Sequence, residues 1–133
     1  MSEPQDIVHG NQILFSEAEL RCKGSGMLLL APRFEEKLKD LRLAWNRPMA
    51  LTSACRSTAH NKAEGGKPNS YHICDSGRGC CAVDVRIREA PERAQFIALA
   101  LNAGWSVGVH RSFIHIDRRS DYEPFSKQIL FLY

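Results

Sequence analysis

Two short apolar stretches that carry ionisable side chains constrain this chain most. The stretch Cys81-Ala-Val-Asp84-Val-Arg-Ile87 predicts one strand, and Ser112-Phe-Ile-His115-Ile-Asp117 predicts another. Burying a carboxylate or an imidazole among Val and Ile costs free energy unless a cation or hydrogen bonds compensate it. His115 and Asp117 lie two residues apart and therefore point to one face of their strand. Polar groups placed in this way on apolar strands indicate a site.

A further polar residue, His72, follows a loop and precedes the first of these strands. Together, His72, Asp84 and His115 would make a suitable shell for a catalytic Zn²⁺, whose sites use three protein ligands and leave the fourth position to water. Histidines in strands also occur as ordinary core residues that bind no metal. The residue types alone leave both interpretations open.

The order of predicted elements is helices first and then strands around one helix, which is typical of an α+β fold with a small antiparallel sheet and flanking helices. Ser16 and Glu19 have the spacing of a capping box and predict a short helix that ends by Gly24. The other predicted elements are an amphipathic helix over 32–46 that opens at Pro32, a strand over 48–53, a helix over 91–101, strands over 105–109 and 112–117, and a last strand over 128–133.

Two stretches show no pattern of regular structure. Residues 1–12 are polar and are expected to be frayed or loosely docked. Residues 56–70 lack a long apolar pattern, and Gly65–Ser70 is predicted to be a loop.

The 133 residues, with 44% hydrophobic and 25% charged side chains, fit a single domain over 1–133. A net charge of +3 without a basic run longer than Arg118-Arg119 predicts no nucleic-acid partner. The chain contains no run of 18 apolar residues, so no membrane span is predicted. The stretch Met1–Asp6 has neither the positive charge nor the apolar core of a signal peptide. The protein is expected to be made in the cytoplasm and to be a monomer. Four basic residues are interpreted as solvated surface, with attraction of an anionic wall polymer as the alternative: Lys62, Lys67, Arg118 and Arg119.

The five cysteines leave three interpretations open. An odd number without a signal peptide argues against a full disulfide framework. They are therefore interpreted as free thiols packed as small hydrophobic side chains, with a local disulfide or a thiolate metal site as alternatives. The cysteines are Cys22, Cys55, Cys74, Cys80 and Cys81.

Several motifs taken together resemble the peptidase M15 family. The run Thr52-Ser-Ala-Cys-Arg56-Ser57 continues through His60-Asn61 and Gly65-Gly66 to Asn69-Ser70-Tyr-His72, and it is followed by Ala82-Val-Asp84 and Phe113-Ile-His115-Ile-Asp117. The family contains zinc D-Ala-D-Ala carboxypeptidases and related phage endolysins, and its fold is close to that of the hedgehog signalling domain. The resemblance extends over nearly the whole chain.

The resemblance implies roles for individual residues. His72, Asp84 and His115 would bind zinc, which would activate a water molecule and polarise the scissile carbonyl. Arg56 would hold a substrate carboxylate or stabilise the oxyanion, and Ser70 would bind substrate or position its loop.

The chain departs from the family pattern at two places. Eleven residues separate His72 from Asp84, more than the family usually places there, and the extra residues are expected to form a surface loop. Ser112 occupies the position where many relatives carry an acidic residue, three positions before the last histidine. Asp117 is therefore predicted to be the catalytic base, with His110 as a second candidate. The alternative for Asp117 is a carboxylate that orients a metal ligand.

The resulting hypothesis is a zinc metallopeptidase that hydrolyses peptide bonds in peptidoglycan stem peptides and acts on the cell wall, as a phage-encoded lysin or virion-associated enzyme. The bond that it cuts is left open. The alternatives are a non-catalytic zinc-binding module and a phage virion component of the same fold.

Overall fold

The structure, a computed structural model, describes residues 5–133 and combines helices with strands, so the predicted α+β class is confirmed. The helices of this part of the chain are α1 (Glu17–Leu20), α2 (Phe34–Trp45), α3 (Thr58–Ala63), α4 (Ala90–Asn102) and α5 (Arg119–Tyr122). The strands are β1 (Ile7–His9), β2 (Gln12–Phe15), β3 (Ala50–Ser53), β4 (Ala82–Arg86), β5 (Ser106–Val109), β6 (Ile114–Asp117) and β7 (Leu130–Leu132). Within residues 5–133, no helix combines the length and apolar character needed to cross a membrane.

A five-stranded sheet forms the centre of the molecule, in the order β3-β4-β6-β5-β7. Neighbouring strands are antiparallel except for the parallel pair β5 and β7. Asp84 of β4 lies directly opposite His115 of β6, and His115 in turn lies opposite Gly108 of β5. Because side chains alternate along a strand, the paired residues Asp84 and His115 lie on one face of the sheet.

The opposite face of the sheet belongs to the hydrophobic core. Its fully buried residues on the two central strands are Val83, Val85, Ile114 and Ile116. Helix α4 packs against β5 and β6, and α2 packs against α4. Two edge-to-face aromatic pairs join these layers: Phe34 with Trp105 at 5.7 Å and Trp45 with Phe96 at 5.2 Å between ring centroids.

The N-terminal segment is more ordered than its composition suggests. Residues 1–4 lie outside the described part of the chain, but the expectation of a frayed segment is wrong for the residues that follow. Strand β1 pairs with β2 in an antiparallel hairpin, and Ile7 is buried. Gly10 adopts a φ of +59° at the turn, a conformation that glycine tolerates without steric cost.

Helix α3 lies in the stretch for which no regular element was predicted. The Ser57 hydroxyl caps it by accepting a hydrogen bond from the His60 N–H at 3.1 Å. The helix has only six residues, and its buried position is the polar Asn61. A short helix with a polar contact face leaves no apolar period in the sequence, and this explains why it was missed.

The other predicted boundaries agree with the structure to within a few residues. Ser16 caps α1 and its hydroxyl accepts from the Glu19 N–H at 3.2 Å, as the capping box predicts. Helix α2 begins at Phe34 rather than at Pro32, because Arg33 has a φ of +67° that interrupts helical geometry.

Candidate metal centre

Three buried side chains converge on the polar face of the sheet. Each of His72, Asp84 and His115 offers one ligand atom, and these atoms lie within 4.8 Å of one another. Asp84 Oδ1 is 3.1 Å from His72 Nε2 and 3.0 Å from His115 Nδ1. The donor set predicted from the sequence is therefore brought together.

Backbone pairing places these residues. Asp84 and His115 are direct cross-strand neighbours in β4 and β6. Backbone hydrogen bonds join the segment around His72 to the segments of Arg56 and Cys81. The Arg56 N–H donates to the His72 carbonyl at 2.9 Å, and the Cys81 N–H donates to the Tyr71 carbonyl at 3.0 Å. These hydrogen bonds bring a ligand from an irregular segment to the edge of the strand that carries Asp84.

A backbone carbonyl fixes the tautomer of His72. Its Nδ1 lies 2.7 Å from the carbonyl oxygen of Ala54. A carbonyl can only accept a hydrogen bond, so Nδ1 carries the proton. The other nitrogen, Nε2, then presents its lone pair toward Asp84. Burial lowers the pKa of His72 and outweighs the opposing effect of the Asp84 charge.

Asp117 fixes the second ring from the opposite side. His115 Nε2 lies 2.7 Å from Asp117 Oδ2, which leaves Nδ1 facing Asp84. Burial alone would raise the pKa of Asp117, but its bonds to His115 and Arg119 outweigh it and lower the pKa to about 2. Asp117 is therefore a carboxylate and accepts the Nε2 proton. Burial lowers the pKa of His115, but its contacts with Asp117 and Asp84 outweigh burial and raise it.

The resulting arrangement suits a divalent cation. When the two inward-facing nitrogens carry no proton, their lone pairs would both point at Asp84 Oδ1, from which each nitrogen lies about 3 Å. Burial would raise the pKa of Asp84, but the two imidazoles hold it below its usual value, so the carboxylate is ionised. Nitrogen and oxygen donors in this number fit zinc, and the hydrogen bonds that orient each ring are those typical of metal-binding histidines.

Arg56 lies beside this donor set. Its Nη2 is 3.4 Å from Asp84 Oδ2, the oxygen that the histidines leave free. Ser53 and Asn61 hold the guanidinium through Nε and Nη1, at 3.0 and 3.3 Å. The side chain is 20% exposed and can therefore meet a substrate. Helix α3 supplies Asn61, which belongs to the motif that resembles the family pattern but whose contact with Arg56 was not predicted.

Asp117 has no free acceptor capacity for proton transfer. Besides His115, it accepts from the Arg119 backbone N–H at 2.9 Å and from Arg119 Nη2 at 2.7 Å, and it is fully buried. It contacts the His115 nitrogen that faces away from Asp84. These contacts favour the alternative in which Asp117 orients a metal ligand over the prediction that it is the catalytic base.

The two other predicted residues lie at the ends of loops. The Ser70 hydroxyl accepts from the His72 N–H at 3.2 Å and so positions the ligand's own backbone. His110 stacks on Phe113 with ring centroids 4.4 Å apart, and its Nδ1 accepts from the Ser112 N–H at 3.0 Å. Its Nε2 is then the protonated nitrogen in the neutral ring.

Two expectations about surface arginines are wrong. Arg118 is 7% exposed and donates to the Ala103 carbonyl and to Asp121, each at 2.7 Å. Arg119 binds Asp117 and lies over the ring of Tyr71 at 4.5 Å. The Asp117-Arg118-Arg119 sequence, in which two arginines directly follow the acidic end of the predicted ligand strand, was the signal that could have indicated their roles.

The extra residues between His72 and Asp84 form a surface loop, as expected, and side chains fix it at both ends. Asp75 Oδ1 accepts from the Thr58 backbone N–H at 2.9 Å, at the start of α3. Arg78 Nη1 pairs with Glu123 at 3.1 Å and its guanidinium lies 4.9 Å from the ring of Tyr71. All five cysteines are free and buried, in agreement with their interpretation as packed thiols.

Comparison with known proteins agrees with this geometry. No curated protein matches the chain. The family model described as Peptidase M15 matches residues 12–117, a span that includes the three candidate ligands and Arg56. Since the match covers most of the sequence, the chain belongs to the peptidase M15 family of metal-dependent peptidases.

Proposed function

We propose that this protein is a zinc peptidase that hydrolyses peptide bonds in the stem peptides of bacterial peptidoglycan. It would act as a D-Ala-D-Ala carboxypeptidase or as an endolysin, encoded by a phage and released by lysis or carried in the virion. The observation that supports this most is the buried set of His72, Asp84 and His115, whose ligand atoms lie within 4.8 Å of one another.

The chain's own residues would prepare the reaction. His72, Asp84 and His115 would hold the metal ion, and when bound it would act as a Lewis acid and activate water for attack on the peptide carbonyl. Arg56 uses three of the five guanidinium N–H groups on Ser53, Asn61 and Asp84. The remaining donors would bind a substrate carboxylate or the developing oxyanion.

Proton transfer is assigned to His110 in this proposal. By the alternation of β5, His110 extends beyond Gly108 on the face that carries His115. Its ring is held by Phe113 and Ser112 and is half-exposed, whereas Asp117 is buried behind His115. An accessible imidazole can exchange protons with a leaving amine, which Asp117 cannot reach without releasing Arg119.

The test measures zinc content and peptidoglycan hydrolysis on one purified sample, before and after chelation. We expect one zinc per chain and release of stem-peptide fragments that stops on chelation and resumes when zinc is restored. Mass spectrometry of the fragments would identify the bond. Absence of zinc from protein purified in zinc-containing medium would contradict the ligand assignment.

A non-catalytic zinc-binding module is the second candidate. It is favoured by Ser112, which stands where many relatives carry the acid, and by the full engagement of Asp117 with His115 and Arg119. Stoichiometric zinc without hydrolysis of any stem-peptide bond would favour this candidate, and binding to virion proteins in such a sample would indicate a structural role in a phage particle.

A further inference from the structure

An open cavity of about 580 Å³ adjoins the metal-bearing face of the sheet. Its lining residues are Thr52, Arg86, Ile87, Arg88, Arg111, Ser112 and Phe113. Its volume is in the range of cavities that bind small ligands, roughly 300 to 1,000 Å³. None of the residues assigned to the metal centre lines it, so it is a separate feature.

Strand geometry relates this cavity to the metal centre. Arg86 follows Asp84 by two residues in β4, and Phe113 precedes His115 by two residues. Two residues along a strand return a side chain to the same face at a distance of roughly 7 Å. Thr52 adds a contact with β4, because its hydroxyl lies 3.5 Å from the Asp84 carbonyl oxygen. The cavity therefore continues the row that carries the candidate ligands.

The cavity concentrates positive charge. Three of its seven lining residues are arginines, and no acidic residue lines it within residues 5–133. In the same part of the chain, Arg86, Arg88 and Arg111 take part in no salt bridge, whereas Arg118 and Arg119 are paired with carboxylates. Three unpaired guanidiniums around one cavity repel each other unless an anion lies between them.

The side chain of Arg93 links the two backbone segments that form the walls of the cavity. Arg93 of α4 donates to the Ile87 carbonyl at 2.9 Å and to the His110 carbonyl at 2.5 Å. These carbonyls belong to the two segments that carry the cavity's arginines. A fixed frame reduces the conformational entropy that ligand binding would cost.

We infer that this cavity is the subsite that binds a side carboxylate of the substrate peptide, on an acidic residue two or three positions from the bond that is cut. An extended peptide spans roughly 3.3 to 3.6 Å per residue. Two or three residues therefore cover the distance from the metal ligands to the cavity, which is the step of roughly 7 Å along the strand plus part of the length of an arginine side chain. Guanidiniums are suited to this role because they bind carboxylates through two parallel N–H groups. The inference rests on the proposed peptidase function.

The test uses two synthetic stem pentapeptides that differ at one group: the D-glutamate α-carboxylate is free in one and amidated in the other. Binding to the wild-type protein is measured by calorimetry at low temperature, with the recovered peptide checked by mass spectrometry for cleavage. We expect the free acid to bind roughly tenfold more tightly than the amide, a preference that falls with added salt.

Variants locate the preference. Arg86→Gln, Arg88→Gln and Arg111→Gln should each lower the affinity for the acid peptide roughly three- to tenfold and leave the amide peptide unaffected. Arg33→Gln is the matched control, because Arg33 lies before α2 and pairs there with Glu36. In hydrolysis, the cavity variants should raise KM and leave kcat unchanged, as expected for loss of a contact equally present before and during reaction.

The outcomes separate this inference from the proposed function. If the acid peptide is preferred, and the cavity variants lose the preference, the assignment of carboxylate binding to this cavity stands; absence of cleavage in the same samples would then count against the peptidase function alone. If both peptides are cut with equal kcat/KM, or if the cavity variants keep the preference, the inference is wrong while the peptidase function stands. Binding of wall teichoic acid with no discrimination between the two peptides would also overturn it.

Discussion

At the scale of single residues, the centre depends on which nitrogen of each histidine carries a proton. Ala54 and Asp117 each accept the proton on the outer side of a ring, and so turn the lone pairs of His72 and His115 inward. A backbone carbonyl cannot be removed by a side-chain substitution, whereas the carboxylate can. Asp117 is therefore the position at which orientation of a ligand can be tested.

Two substitutions should separate metal binding from proton transfer. Asp117→Asn removes the charge that orients His115 and should weaken zinc affinity about 10- to 100-fold. His110→Gln should leave zinc affinity unchanged and lower kcat about 100- to 10,000-fold. Zinc affinity is measured by competition with a chelating dye, and kcat on zinc-saturated enzyme. Full turnover in His110→Gln would contradict the assignment of proton transfer to this residue.

Asp117 should also make the free energy of unfolding depend on pH in the acid range. Its pKa is lowered from 3.8 to about 2 in the folded protein. A lowered folded pKa contributes stability that is present above about pH 4 and is lost as the pH falls through 2, here about 2 kcal/mol. In urea unfolding followed by circular dichroism, the wild-type free energy of unfolding should fall more steeply from pH 4 to 2 than that of Asp117→Asn. Parallel curves for the two proteins would show that the carboxylate gains nothing from its partners on folding.

At the scale of elements, the edge strand β7 depends on a glycine in its neighbour. A Cβ added at Gly108 would lie 2.4 Å from Phe131 Cζ, closer than atoms pack. The Phe131 ring also lies 5.7 Å from that of His115, so this contact borders the metal centre. The parallel pairing of β5 and β7 therefore requires a position without a side chain.

Gly108→Ala should destabilise the protein by about 1 to 3 kcal/mol through overpacking against Phe131. Phe131→Ala should relieve part of that cost, so the double variant should be more stable than the sum of the single effects predicts. Chemical denaturation of the four proteins measures this coupling. Additive effects would indicate that the ring moves aside without cost.

Most of the elements that sequence reasoning found have an apolar period, and the short helix α1 was found from its capping box. The periodicity of α2 and α4 and the apolar runs of β4 and β6 gave these elements and, with them, the cross-strand pair of Asp84 and His115. Helix α3 was not predicted because it has no apolar period. It is held instead by the Ser57 cap and by the polar contacts of Asn61.

The site could be predicted as a set of residue types but not as an arrangement. Side chains such as that of His72 can be recognised in the sequence as possible metal ligands, since few other residue types bind metals. The Ala54 carbonyl has no sequence signature, because every residue has one. The roles of Arg119 and Asn61 likewise depend on tertiary contacts that no spacing specifies.

At the scale of the whole molecule, the donor set links strands β4 and β6 to the irregular segment of His72. A ligand that binds only the folded state stabilises it, by about 4 kcal/mol at a thousandfold excess over Kd. Removing zinc should therefore lower the thermal midpoint by roughly 15 °C for a chain of this size. Scanning calorimetry with and without chelator measures this, and Asp84→Asn should not respond to zinc. A chelator-independent midpoint in zinc-loaded wild-type protein would contradict the coupling.

The family match ends at residue 117, whereas Phe131 of β7 packs on Gly108 inside the matched part. The C-terminal segment after β6 therefore packs directly on the part of the chain that the family model covers. A chimera that received the segment of β7 would need a glycine opposite the Phe131 ring. A chimera that lost this segment would leave β5, the neighbour of the His115 strand β6, as an uncovered edge strand. Gly108 and Phe131 must therefore be matched to each other in any recombined chain, because a side chain at position 108 would overlap the ring that the C-terminal segment brings.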